Sequence, residues 1–237
     1  MKSKVVVSVT FCLLTSLALS LLSQTETKKG TCKYWCPNRE FDFSAIYYDN
    51  SGKVLTRETI TIKTTGKIWD IDPKQTLVTF RTNFTSEDSM KLAPHALNGI
   101  NRAWEKKYQE GVIEDSAHIW MHPIRQNQYL LTEIAPFPEV KFPLMKNRTW
   151  NSTLWIYEVF GSFRGTVNST YSIEGIEARK YQCGTYKCWK IVGTATHDKL
   201  GESSVIIYFN EDLGFTEMDY SFYNKQKITF ILYNFKM

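Results

Sequence analysis

From residue 40 onward the chain alternates short apolar runs with turn signals. Residues 40–48 (EFDFSAIYY) read as a strand, and Asp49-Asn50-Ser51-Gly52-Lys53 as a turn. In Val54 to Lys63 the positions alternate: Val54, Thr56, Glu58, Ile60 and Ile62 fall on one side, Leu55, Arg57, Thr59, Thr61 and Lys63 on the other. β-Branched residues dominate that run, so it forms the second arm of a hairpin. Residues 76–82 are a third strand. Strand signals return at 128–134, 153–160, 163–174, 176–182, 188–196, 203–209, 215–223 and 227–235. Between them lie Pro136 and Pro138, Gly184, Asp212-Leu213-Gly214 and Asn224-Lys225. Such spacing predicts an antiparallel meander.

One stretch has a different period. After Pro94 the apolar residues Leu97, Ile100, Trp104 and Tyr108 form a single helical stripe, and Gly111 suits its end. The pattern predicts one amphipathic helix over 95–109.

Several later strands are apolar on both faces. Ile228, Phe230 and Leu232 oppose Thr229, Ile231 and Tyr233; Trp155, Tyr157 and Val159 oppose Ile156, Glu158 and Phe160; Val205, Ile207 and Phe209 oppose Ile206 and Tyr208. An antiparallel sheet with one wet face alternates more cleanly than this. One helix covers one face, so the other must pack on more sheet, wrap a hollow or meet a partner. The expected fold is therefore mainly β: an antiparallel meander curled into a half-barrel or barrel, with the helix packed on it. An apolar hollow inside would be a natural ligand site; the opposing reading is a core filled by its own side chains.

The N-terminus sets the compartment. Lys2 and Lys4 precede an uncharged run, Val5–Ser23, the form of a secretory signal. Cleavage after Ser23 leaves a single mature domain, 24–237. The same run left uncleaved is long enough to anchor the chain in a membrane. The net charge of +5 includes those two lysines, and the remaining basic clusters are no longer than pairs, which excludes a nucleic-acid surface. Export implies an oxidising space, in the periplasm, at the cell surface or outside the cell. Cys32 and Cys36 would then form a local clip, and Cys183 and Cys188 would close a hairpin end. A four-thiolate zinc site and free thiols are the alternatives.

Motifs for the common enzyme classes (G-x-S-x-G, Walker A, G-x-G-x-x-G, H-E-x-x-H) do not occur. His118-Ile-Trp-Met-His122 places two imidazoles on one face, with Glu114 or Asp115 as a third metal ligand. Two backbone-bonded neutral histidines fit the string equally well. Glu133 and Glu139 bracket Ile-Ala-Pro-Phe-Pro and could act as a carboxylate pair, although Glu139 beside Pro138 reads as a loop residue. Asp70-Ile-Asp72-Pro reads as a turn. Asn83, Asn147, Asn151 and Asn168 each head an N-x-Ser/Thr sequon.

The stretch His122-Pro-Ile-Arg125, with Glu133-Ile-Ala-Pro-Phe-Pro138-Glu-Val-Lys-Phe-Pro143, then Trp150, Trp155, Phe209-Asn210-Glu211 and Gly214-Phe215, resembles a family of uncharacterised exported proteins and lipoproteins of Bacteroidota. The likeness covers roughly 120–237. It departs from the family pattern at Ile124 and in lacking a clear lipoprotein cysteine. It implies a bacterial envelope setting and transfers no catalytic residue. More loosely, the meander is similar to half-barrels that carry lipids or lipoproteins. The resulting expectation is a non-enzymatic envelope protein, needing no cofactor, that holds an apolar or amphipathic small molecule, lipid or partner segment. Trp155, Tyr157, Phe209, Phe230 and Leu232 would line the curved sheet, with Trp104 and Tyr108 from the helix; His118, His122 and Arg125 would orient the ligand at a rim. Apolar burial would supply affinity at roughly 25 cal/mol per Å². The alternatives are a surface-interaction domain without a cavity and a metal-dependent hydrolase centred on His118 and His122.

Overall fold

A computed structural model describes residues 32–92, 104–160 and 163–237. Twelve strands follow in chain order: β1 (Glu40–Tyr48), β2 (Val54–Trp69), β3 (Asp72–Thr82), β4 (Lys107–Glu114), β5 (His118–Met121), β6 (Glu139–Lys141), β7 (Thr149–Phe160), β8 (Phe163–Tyr181), β9 (Gly184–His197), β10 (Gly201–Asn210), β11 (Gly214–Ser221) and β12 (Lys227–Lys236). They form one antiparallel sheet in the order β6-β5-β4-β3-β2-β1-β12-β11-β10-β9-β8-β7. Every sequential pair is a neighbour except β6 and β7, which lie at opposite edges of the sheet. The sheet curls until those edges approach, making a nearly closed barrel. Side chains join the edges at one end: Trp150 Nε1 donates to Glu139 Oε2 at 3.1 Å, and Arg148 donates to the Pro143 carbonyl at 2.7 Å. The expected β meander and barrel are therefore present.

The barrel interior is apolar and occupied by the chain itself. Alternating positions such as Phe41 and Phe43, Ile60 and Ile62, Val78 and Phe80, and Phe230 and Leu232 point inward and are buried. Between β5 and β6 the chain enters this space. Ile124, Tyr129, Leu131 and Ile134 from that segment belong to the same buried cluster. Its middle is a 3-10 helix, Asn127–Ile134. Tyr129 lies 5.2 Å from the Phe230 ring, and its hydroxyl donates to Glu58 Oε1 at 2.7 Å. Gly193 admits the segment: a Cβ there would come within 2.9 Å of both Pro136 and Tyr171.

Part of the opposite sheet face, around Ile206, Tyr208 and Ile231, is covered by the end of the β8–β9 hairpin. β8 changes register at Gly175, whose φ of 145° suits glycine, and the hairpin bends there. Arg179, on β8, reaches β11 and holds Glu217 through both carboxylate oxygens at 2.6 and 2.8 Å. Its guanidinium lies 4.0 Å from the Tyr208 ring centroid. Beneath it Tyr181, Cys188 and Tyr208 make a second small core, with Ile206 and Ile231 packed against it. Over Ile206, Tyr208 and Ile231, the face that sequence left without a partner thus meets more of the same chain.

Three expectations change. Lys107, Tyr108 and Gln109 are strand, not the end of a helix; residues 93–103 lie outside the described residues. The described α-helix is α1 (Ser86–Leu92). Residues 128–134 are 3-10 helix rather than strand. Cys32 and Cys36 form a disulfide, but Cys183 and Cys188 are free thiols. The reason is register: Tyr181 pairs with Gly184, so Gln182 and Cys183 form a two-residue turn and Cys188 faces Glu177. The 1–23 signal segment lies outside the described residues.

Candidate functional site: an aromatic rim around His122

Where β5 ends, the chain turns into the barrel through His122-Pro123, and the imidazole is left at the entrance. Trp120 comes from β5, Trp69 from the end of β2, and Phe137 from the segment returning to β6. Their ring centroids lie 4.5, 5.6 and 6.1 Å from that of His122. Trp120 and Phe137 also meet each other at 5.7 Å. Trp69, Trp120 and His122 are partly exposed. Gly111 of β4 forms the floor. A Cβ at that position would fall 1.9 Å from Gln75 Oε1 and 2.4 Å from the Trp69 ring, so only glycine lets both side chains settle there.

Two polar atoms in this rim are buried and have no hydrogen-bond partner among the described residues: His122 Nδ1 and Gln75 Oε1. Gln75 donates its Nε2 to Asp72 Oδ2 at 2.9 Å, which fixes the amide with its oxygen turned away from that bond. Burial, reinforced by the nearby Arg125 charge and opposed by Asp72, lowers the His122 pKa to about 3. The imidazole is therefore neutral at physiological pH and can both accept and donate a hydrogen bond.

Behind the rim the charges are paired. Arg125 donates to Glu110 through Nε at 2.9 Å and Nη2 at 2.7 Å, and its Nη1 lies 3.6 Å from Glu133. Farther in, Glu58 accepts from Gln128 at 2.6 Å, from Tyr129 at 2.7 Å and from the Asn83 amide at 3.0 Å. Burial raises the Glu58 pKa, and these three donors oppose the shift. The fully buried Tyr108 hydroxyl has no partner among the described residues, and burial pushes its pKa well above 10.

The residues singled out from sequence separate. His122 and Arg125 stand at the rim and just behind it. His118 does not join them: its Nδ1 lies 3.1 Å from Asp115 Oδ2 in the β4–β5 turn. Among the described residues no three His, Cys, Asp or Glu side chains are grouped to hold a metal. Glu133 faces Arg125, while Glu139 accepts from Trp150 and lies 3.6 Å from Lys141. Phe209, Phe230 and Leu232 are fully buried. Phe209 packs on Tyr34 and Phe215, and Phe230 on Tyr129 and Tyr220, rather than facing open space. Tyr108 stacks on Phe80 at 4.9 Å, and Trp104 meets Phe84 edge-on at 5.0 Å. Trp155 is 49% exposed on the outer face. Tyr157 is on β7, with its side chain outside the described residues. Sequence reasoning missed Trp69, Gln75, Gly111, Trp120 and Phe137. The available signal is Trp120 between the two histidines, in a string that fits metal spacing and a pair of neutral histidines equally well.

The architecture defines a class: a nearly closed antiparallel barrel, plugged by its own chain, with an aromatic entrance. Solved structures are similar to the chain in overall fold. A candidate lipoprotein from Parabacteroides distasonis aligns with a TM-score of 0.51 at 10% identity, over 87% of this chain and 100% of its own. A candidate exported protein with YmcC-like fold from Bacteroides fragilis gives 0.49 at 9% identity, over 87% and 100%. The hypothetical lipoprotein YmcC from Escherichia coli gives 0.36 at 11% identity, over 84% and 85%. The resemblance read from sequence is thus met at the level of fold. No protein-family model and no curated protein matches the chain.

Proposed function

We propose that the chain is an exported envelope protein that acts by binding, with the aromatic rim at His122 taking an apolar or amphipathic ligand or partner segment. One observation carries this reading: a neutral imidazole whose Nδ1 is buried and has no partner among the described residues, enclosed by Trp69, Trp120 and Phe137. Aromatic walls supply apolar contact, and the imidazole and the Gln75 oxygen supply direction. A buried polar atom left unpaired costs stability, which a ligand hydrogen bond would recover. The lipoprotein and exported-protein descriptions of the structural neighbours support the envelope setting. Burial of Phe209, Phe230 and Leu232 moves the proposed site from the barrel's depth to its mouth.

The test is extraction of the natively purified protein followed by mass spectrometry, with Trp120→Ala and His122→Ala alongside. The expected result is a lipid-like or amphipathic molecule carried by the wild type and depleted in both variants. A wild type that carries none, and whose tryptophan fluorescence does not respond to long-chain fatty acid or phospholipid, would refute the reading.

A further inference from the structure

One row on the outer face of β7–β11 carries no charge, although Lys190, Glu202, Glu217 and Asp219 stand elsewhere on the same face. Register places Asn151, Thr170, Thr194, Ser204 and Ser221 side by side across five neighbouring strands. All are short, uncharged and at least partly exposed. At the strand spacing this row is about 19 Å long. A second row, Thr153, Asn168 and Thr196, runs beside it and ends at Glu202. Thr170 donates to Asn151 Oδ1 at 3.0 Å and Thr153 to Asn168 Oδ1 at 3.2 Å, so both amides are held in one orientation with the carbonyl end already used.

The row has a distinct feature at each end. Beyond Thr153 on the β7 edge, Trp155 is 49% exposed on the same face. At the β11–β12 end the row enters a groove of about 460 Å³, lined by Ser204, Ser221, Ile206, Asp219, Lys227 and Tyr48. Asp219 Oδ1 is buried there without a hydrogen-bond partner among the described residues.

We propose that this face binds a neutral glycan chain, which lies along the Thr/Asn/Ser row, stacks a sugar ring on Trp155 and places hydroxyl groups in the Asp219 groove. Sugar hydroxyls are paired donors and acceptors, and short hydroxyl and amide side chains match them in kind. The C–H face of a pyranose packs on an indole ring as other apolar surface does. A carboxylate oxygen lacking a donor accepts from a hydroxyl. The row itself is uncharged, and the charges that flank it, Lys227 beyond Ser221 and Glu202 beyond Thr196, are of opposite sign, so the site favours neither a cationic nor an anionic polymer. This site lies on the outer face and is separate from the rim at His122.

The experiment is isothermal titration of the natively purified protein with cellohexaose, chitohexaose, maltohexaose and polygalacturonate, repeated with Trp155→Ala, Thr170→Glu and Trp120→Ala. Trp155 and Thr170 are exposed, so neither change empties the core. The proposal expects saturable binding of at least one neutral hexasaccharide, weakened roughly tenfold or more by Trp155→Ala. It expects a comparable loss for Thr170→Glu and none for Trp120→Ala. Binding of none of the three, binding unaffected by both outer-face changes, or binding of polygalacturonate alone would each overturn it. Loss with Trp120→Ala only would also overturn it, assigning the sugar to the rim instead.

Discussion

His122 and Asp219 are half-buried groups whose proton affinities move in opposite senses with respect to stability. Unfolded, a histidine takes its proton near pH 6.5, whereas folded His122 resists until about 3. Between those values the unfolded chain binds more protons, so stability is lost as pH falls from 6.5 toward 3. Asp219 has its pKa raised to about 6 by burial and then by the charge of Glu217. The folded chain holds that proton more tightly, so this group adds stability as pH falls from about 6 to 3.8. His122→Gln is expected to shrink the difference in unfolding free energy between pH 7.5 and pH 4 by about 1–3 kcal/mol, read from urea midpoints. Asp219→Asn is expected to raise stability at pH 7.5 by about 1–2 kcal/mol and to do much less at pH 4. An unchanged pH slope in the first variant would mean that His122 is solvated. A loss at pH 7.5 in the second would mean that the Thr229 hydroxyl and the Arg179 charge stabilise the carboxylate by more than its burial costs.

At the scale of elements, the bent β8–β9 hairpin depends on one charged clasp. Glu217 has a side chain only 6% exposed, so Arg179 is what makes its ionised form tolerable. Arg179→Met should cost about 3–5 kcal/mol, because it strands a buried carboxylate. The double variant Arg179→Met with Glu217→Met should recover most of that loss, since the pair itself is worth little against a packed apolar replacement. Chemical denaturation of the single and double variants reads both; a double variant as unstable as the single would show that the clasp contributes more than the relief of a stranded charge. Sequence showed that the β10 and β12 faces were apolar on both sides through Ile206, Tyr208 and Ile231, but not that the hairpin would return to cover them. The return depends on one register change at Gly175, and register is set by contacts distant in sequence. The same blindness misplaced Cys183 and Cys188. A loop of two residues in place of four shifts every facing pair along the strand. Trp104 and Tyr108 fit a helical stripe by spacing alone, yet Trp104 lies in irregular chain before β4 and only Tyr108 is in the strand. The run QYLLTEI (residues 128–134) was too short for its period to decide between strand and helix.

At the scale of the molecule, the barrel and its plug depend on each other. The segment between β5 and β6 meets Glu58 of β2 through Gln128 and Tyr129, Gly193 of β9 through Pro136, Tyr171 of β8 through the Phe137 carbonyl, and Phe230 of β12 through Tyr129. Strands from both halves of the sheet therefore close around one short piece of chain. The rim aromatics belong to it as well, because His122 and Phe137 stand where the segment enters and leaves. Apolar alternation made the interior legible in the sequence. What filled it was not, since the filler is an irregular segment with no period to read. Tyr129→Ala removes a fully buried ring and one of three donors to Glu58, and is expected to cost about 3–5 kcal/mol. If barrel and plug form one cooperative unit, far-UV circular dichroism and tryptophan fluorescence will trace the same single transition in the variant, shifted to lower denaturant. If the plug is instead a separable lid, the tryptophan signal from the rim will change first and leave the β signal intact. In that case the mouth of the barrel would open without unfolding it, and a ligand could reach the space that Tyr129 now occupies.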